Sequence, residues 1–138
     1  MKTKLVALLF FVSLFTACTK NDEAQLSLDE ALIGNWNLKK VYGGLQGINI
    51  DYSQGEVIWT FNFQTNEITV VNNITTNGPE DIHAGLDSGT YSFNIQQNGQ
   101  LISLFIEGIK KGDLLIEDDK LSIDDGLAAD GFVSVFVK

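Results

Sequence analysis

From Trp36 onward the chain alternates apolar and polar residues with a two-residue period, in short runs broken by turn residues. That period sets every second side chain on one face of a strand. Trp36, Leu38, Lys40 and Tyr42 share one face of the first run, with Asn37, Lys39 and Val41 on the other. The run Glu56 to Phe63 aligns Val57, Trp59, Phe61 and Phe63. After the turn Gln64-Thr65-Asn66 the chain returns through Glu67 to Val71, with Ile68 and Val70 facing the same way. This pair predicts a hairpin. Further runs cover Gly89 to Ile95, Leu101 to Glu107, Asp113 to Glu117, Lys120 to Ile123 and Gly131 to Lys138, with turns at Gln96 to Gln100 and Gly108 to Gly112. The reading is eight strands, joined mostly by tight turns.

Three segments depart from the alternation. Ser27-Leu28-Asp29-Glu30 pairs a hydroxyl with a glutamate three residues later, a capping box. It predicts a single N-terminal helical turn through Ala31 and Leu32, ended by Gly34. Gly43 to Gly55 is long for a hairpin connection and carries Leu45, Ile48, Ile50 and Tyr52. It is either a loop with a function of its own or a short edge strand, Gln46 to Asp51, on the rim. Asn72 to Ser88 reads as a long polar loop that holds Gly78-Pro79 and the only histidine, His83.

Consecutive antiparallel strands with one apolar face bury it by closing on themselves, which also removes exposed sheet edges. The fold class is therefore all-β: an eight-stranded antiparallel up-and-down barrel with a short N-terminal helical turn. A two-sheet sandwich is the competing arrangement. An interior of eight strands is either filled by side chains or holds one small ligand.

The extreme N-terminus belongs to a different class. Lys2 and Lys4 precede an apolar run from Leu5 to Phe15, then the small residues Thr16-Ala17 and the only cysteine, Cys18. That run of 11 residues is too short for a membrane span, which takes roughly 20. It is a secretory signal, to be set aside from the fold. Residues 1–17 are the signal peptide, 18–27 a polar tether and 28–138 the barrel domain. Cleavage before Cys18 leaves seven lysines against eighteen acids, a net charge of about −11. Such a surface repels phosphate backbones, so nucleic acid is excluded as a partner. With one cysteine no intrachain disulfide can form, and stability rests on packing.

Cys18 directly after small residues resembles a bacterial lipobox, in which the cysteine is acylated, as by palmitate, and becomes the first residue. Phe15 stands where leucine is usual, and an ordinary signal peptide is the alternative. The resemblance implies a lipid anchor in the bacterial outer membrane, on its periplasmic face or at the cell surface. Lys20 with Asp22 and Glu23 resembles the export signal of Bacteroidetes surface lipoproteins, or is simply a solvated linker. Leu32-Ile33-Gly34-Asn35-Trp36 is a G-x-W at the start of the first strand. With eight successive strands, the chain resembles the lipocalin-like domains of Bacteroidetes lipoproteins. In that family the tryptophan plugs the closed end, which makes Gly34 and Trp36 the barrel-closing residues. The family's tryptophan usually packs against an arginine. This chain has none; Lys138 is the candidate substitute, without a planar group to stack on the ring. The threonine-aspartate-tyrosine motif and C-terminal helix of larger members are also missing.

Catalytic chemistry finds no support. One imidazole and a cysteine taken up by lipid supply no triad, and one histidine cannot build a nitrogen–sulfur metal site. Acids cluster at Glu117-Asp118-Asp119 and Asp124-Asp125 with Asp130, but their spacing misses the EF-hand pattern and reads as solvated turns. No enzyme activity, cofactor or metal is expected. What remains is an apolar interior. Trp59, Phe61, Tyr91 and Phe93 are the candidate lining of a pocket, or the filling of a solid core. The Gly43–Gly55 loop corresponds to the lipocalin lid, and its Leu45 and Ile48 join the ligand-binding candidates. Two functions follow: an anchored barrel that binds a small apolar ligand, or a ligand-free barrel that acts on an envelope protein through its loops.

Overall fold

The structure, a computed structural model, describes residues 28–138. The signal peptide, Cys18, the tether and the capping Ser27 lie outside the described residues. Residues 28–32 are helical, as the capping box predicts. Nine strands follow: β1 (Gly34–Gly43), β2 (Ile48–Asp51), β3 (Val57–Asn62), β4 (Glu67–Asn72), β5 (Gly89–Asn98), β6 (Leu101–Ile106), β7 (Ile109–Glu117), β8 (Lys120–Asp124) and β9 (Phe132–Val137). Neighbours pair antiparallel in the order β2-β1-β3-β4-β5-β6-β7-β8-β9, and β1 also pairs with β9. The sheet is a closed barrel.

One edge of β1 serves two partners. Its first half, Gly34 to Asn37, faces β3 from Phe61 to Ile58, and its second half, Lys40 to Gly43, faces β2 from Asp51 to Ile48. β2 thus continues the position of β3 along the barrel wall, and the wall has the eight staves expected. Within the Gly43–Gly55 connection, the edge-strand alternative is the one the chain adopts.

Register accounts for the other departures from the sequence reading. A bulge between Leu38 and Lys40 inserts one residue into β1 opposite β9. Trp36 and Leu38 face inward as read, but the extra residue then shifts the phase, and Val41 is buried instead of Lys40 and Tyr42. A second bulge, opposite Leu104 and Phe105, lets β7 start at Ile109, four residues before the expected Asp113. The segment Gly108 to Gly112 is therefore mostly strand. β5 likewise runs on to Asn98, beyond the expected turn at Gln96.

The inward faces make one continuous core that includes Leu28, Leu32, Trp36, Val57, Trp59, Phe61, Ile68, Leu104, Ile106, Leu121 and Phe136. Its rings pack edge to face or tilted. Phe61 and Phe63 meet Phe93 with centroids 5.4 and 5.1 Å apart, and Trp59 meets Phe136 at 4.9 Å.

One end of the barrel is plugged. The helical segment 28–32 lies across it with Leu28 and Leu32 buried, and the indole Nε1 of Trp36 donates to the Leu32 carbonyl at 2.8 Å. Gly34 makes the reversal between helix and strand at φ +120°, a conformation an L side chain rarely adopts. Lys138 then closes the lock. Its ammonium lies 4.9 Å from the Trp36 ring centroid and donates to the Ala31 carbonyl at 2.8 Å. A lysine over the ring face supplies by cation attraction what a stacked guanidinium would supply by shape. Trp36→Ala should therefore lower unfolding free energy by about 3–5 kcal/mol in urea titrations. Lys138→Met should cost less; a Trp36→Ala variant as stable as the parent would contradict the plug.

Candidate functional site

The opposite end has no such plug. It is covered by the segment 73–88 between β4 and β5, which the sequence reads only as a polar loop. Pro79–His83 forms a short helix there, with Pro79 at its start and Glu80 and Asp81 in its first turn. Proline early in a helix followed by acids is a helix-start pattern, and that signal was available in the sequence. Asn72 and Ser88 clasp the two ends of this strap. The Asn72 N–H donates to the Ser88 hydroxyl at 2.8 Å, and that hydroxyl donates to the Asn72 carbonyl at 3.1 Å. The Asn72 side chain adds a bond from Nδ2 to the Leu86 carbonyl at 3.2 Å.

The strap is tied to the β2–β3 connection at its start, where the Asn73 N–H donates to the Glu56 carbonyl at 2.7 Å and Asn73 Nδ2 to the Gly55 carbonyl at 2.9 Å. Ala84 is buried, and Ile74 and Leu86 pack against the core from above. The Tyr52 hydroxyl donates to the Glu80 carbonyl at 2.9 Å, tying the β2–β3 connection to the strap helix. His83 rests on Phe132, with ring centroids 4.7 Å apart. These contacts come from isolated residues, in contrast to the continuous ladders of the wall.

Below the strap lies Trp59, 5% exposed. Its Nε1 is buried and has no hydrogen-bond partner among the described residues. Indole N–H is a donor only, and an orphaned buried donor costs about 1–3 kcal/mol. The edge that carries it faces the strap. A side chain grafted on Gly85 would start 3.8 Å from Cζ2, which joins Nε1 through a single ring carbon. Gly85 itself sits at φ +93°. Trp36, by contrast, has its N–H satisfied, so the two tryptophans differ in the one property that bears on binding.

The other candidates separate. Phe61 and Phe93 are buried with Trp59 in one core, and Tyr91 packs against them half-buried while its hydroxyl donates to the Asp87 carbonyl at 3.0 Å. Ile48 is half-buried on β2. Leu45 stands 86% exposed on the β1–β2 turn, apart from the rings. The structure thus brings together Trp59, Phe61, Tyr91 and Phe93, and leaves Leu45 in solvent. The strap covers Trp59, with Tyr52 as the contribution of the Gly43–Gly55 connection, while Phe61 pairs with Gly34 toward the plugged end.

Charge at this end is negative. A depression of about 330 Å³ beside the strap is lined by Asp51, Glu56 and Glu80 with Ser53, Asn73 and Thr75. Asp51 is paired with Lys40 at 3.2 Å. Burial, then the nearby Glu80, Glu56 and Asp81 carboxylates, push the Tyr52 hydroxyl up to about 12. The acids singled out elsewhere serve their own turns. Asp124 accepts the N–H groups of Gly126 and Leu127 at 2.8 and 2.7 Å, and Asp125 accepts that of Phe132. Among the described residues, no group of three or more His, Cys, Asp or Glu is disposed to hold a metal ion.

A tyrosine whose native pKa exceeds its unfolded value stabilises the fold while protonated. That stabilisation is lost as pH rises from 10, its ordinary value, through about 12. The Tyr52→Phe variant should lack this alkaline fall in stability. It should also lose about 1 kcal/mol at neutral pH and exchange the amide protons of residues 79–86 faster. Unchanged exchange in that segment would show that the strap does not depend on the Tyr52 bond.

Residues 32–126 match the family model of the lipocalin-like domain. No curated protein and no solved structure matches the chain. The matched stretch spans most of a closed antiparallel barrel with a helix-plugged end, and the protein belongs to the lipocalin-like domain family.

Proposed function

We propose that this protein is a lipid-anchored barrel of the bacterial outer membrane, of the Bacteroidetes lipoprotein type, that binds a small apolar molecule. The ligand sits beneath the strap among Trp59, Phe61, Tyr91 and Phe93. One observation carries the reading: the buried, unpartnered Nε1 of Trp59. Binding sites of this kind are apolar with a few placed polar groups, and buried polar groups in native proteins almost always have partners. A ligand acceptor at that edge supplies the missing one. The strap provides the way in, because it is joined to the barrel by isolated bonds and not by a strand ladder. The role is retention and not turnover: among the described residues the side chains packed around the rings are apolar.

The anchor rests on the sequence of the N-terminus, Lys2 and Lys4 with a short apolar run ending at Cys18. Among the described residues no helix is long and apolar enough to cross a membrane. A second reading, an interaction module, draws on Leu45 and Ile82, 86% and 76% exposed on the covered end. Reproducible crosslinking of a single envelope protein in cells, lost on Leu45→Ser and Ile82→Ser, would favour it.

Three outcomes are expected. Cys18→Ser should move the protein from the membrane fraction to the soluble fraction on cell lysis. The chain purified with Cys18→Ser from its own host should carry a reproducible small-molecule mass in native mass spectrometry. Trp59→Phe, folded by its thermal transition, should lose that mass. Retention of the full mass by Trp59→Phe would remove Trp59 from the site.

A further inference from the structure

The chemistry around the rings narrows the ligand further. We infer that the barrel selects a neutral apolar molecule carrying one oxygen acceptor, such as a ketone, ester or ether, and discriminates against carboxylates. This rests on ligand binding as proposed above.

Among the described residues no lysine is buried, and the chain has no arginine. The single buried polar residue among those described is Ser103, whose hydroxyl donates to Asp113 at 2.6 Å and is therefore committed. Asp113 is in turn held by Lys110 at 2.7 Å. Among the described residues, the buried groups thus include one free donor, Trp59 Nε1, and no cation. A carboxylate buried there would satisfy one of about four lone-pair sites and leave a whole charge uncompensated. A protonated amine brings only donors and leaves the indole unpartnered. A hydrocarbon leaves it unpartnered as well. A neutral molecule with a single acceptor matches the site in both charge and hydrogen-bond count.

The covered end acts in the same direction. Glu56 and Glu80 line the depression beside the strap, and Asp81 sits in the strap helix. Glu56 accepts the Ser53 N–H, which fixes its carboxylate at that rim. Of the cations on β1, Lys40 is taken up by Asp51 and Lys39 is exposed to solvent, while Lys138 is at the plugged end over Trp36. An anion approaching the strap meets like charge at short range, where salt screens it least.

The test compares three probes of one chain length on the Cys18→Ser chain at pH 7: 2-nonanone, nonanoate and nonylammonium. Isothermal titration should show the ketone binding at least about tenfold more tightly than either ion. Trp59→Phe should reduce ketone affinity about tenfold while leaving the two ions unchanged. The double variant Glu56→Gln/Glu80→Gln should narrow the gap between ketone and carboxylate by a few fold. Nonanoate binding as tightly as the ketone, or nonylammonium binding best, would overturn the inference while leaving a ligand-binding barrel in place. A ketone affinity untouched by Trp59→Phe would likewise overturn it. Failure of all three probes, together with an apo mass for the protein from its host, would sink the binding reading beneath it.

Discussion

Closure of β1 onto β9 is the constraint from which the rest of this molecule follows. The chain has no disulfide to staple it, so its stability comes from an inside that only a closed sheet creates. Once β9 pairs with β1, the alternating apolar positions of the strands face a common axis, and the sheet closes without a seam between its first and last long strands. Closure also brings the C-terminal residue beside the first strand. That proximity, 107 residues apart in sequence, lets Lys138 reach both the Ala31 carbonyl and the Trp36 ring.

The two ends of the barrel then acquire different characters. One is built as a plug, with a helical segment, a satisfied indole and a cation all serving the same ring. The other is a cover, a strap pinned at its two ends by Asn72 and Ser88 and held in the middle by a tyrosine hydroxyl and a few apolar contacts. The cover is joined by isolated bonds and not by a ladder, and attachments of that kind open locally at the least cost. The unsatisfied indole lies beneath it.

Much of this was legible in the sequence because barrel strands write their inward face at every second residue. Val57, Trp59, Phe61 and Phe63 are the clearest case, and the G-x-W at Gly34 to Trp36 marked the plugged end. Beyond Leu38 the alternation misled, because a bulge shifts the phase without any change in composition. The strap escaped for a related reason. Its closure runs through backbone carbonyls at Glu80 and Leu86 and through single residues such as Ala84, which leave no periodic trace. The difference between Trp36 and Trp59 was invisible for the same reason: it depends on which carbonyl lies within reach of each indole, and tertiary packing decides that.

The central claim is that the Trp59 N–H waits for a ligand acceptor, and the indole resonances of the protein test it most directly. The chain has two tryptophans, so two indole N–H signals appear in a proton–nitrogen correlation spectrum. Trp36, bonded to Leu32, serves as the internal reference. Titration with 2-nonanone should move the Trp59 signal downfield to the range of a hydrogen-bonded indole and leave Trp36 in place. A Trp59 signal already in that range before titration, and unmoved by the ketone, would show the donor satisfied by a buried water and would contradict the account.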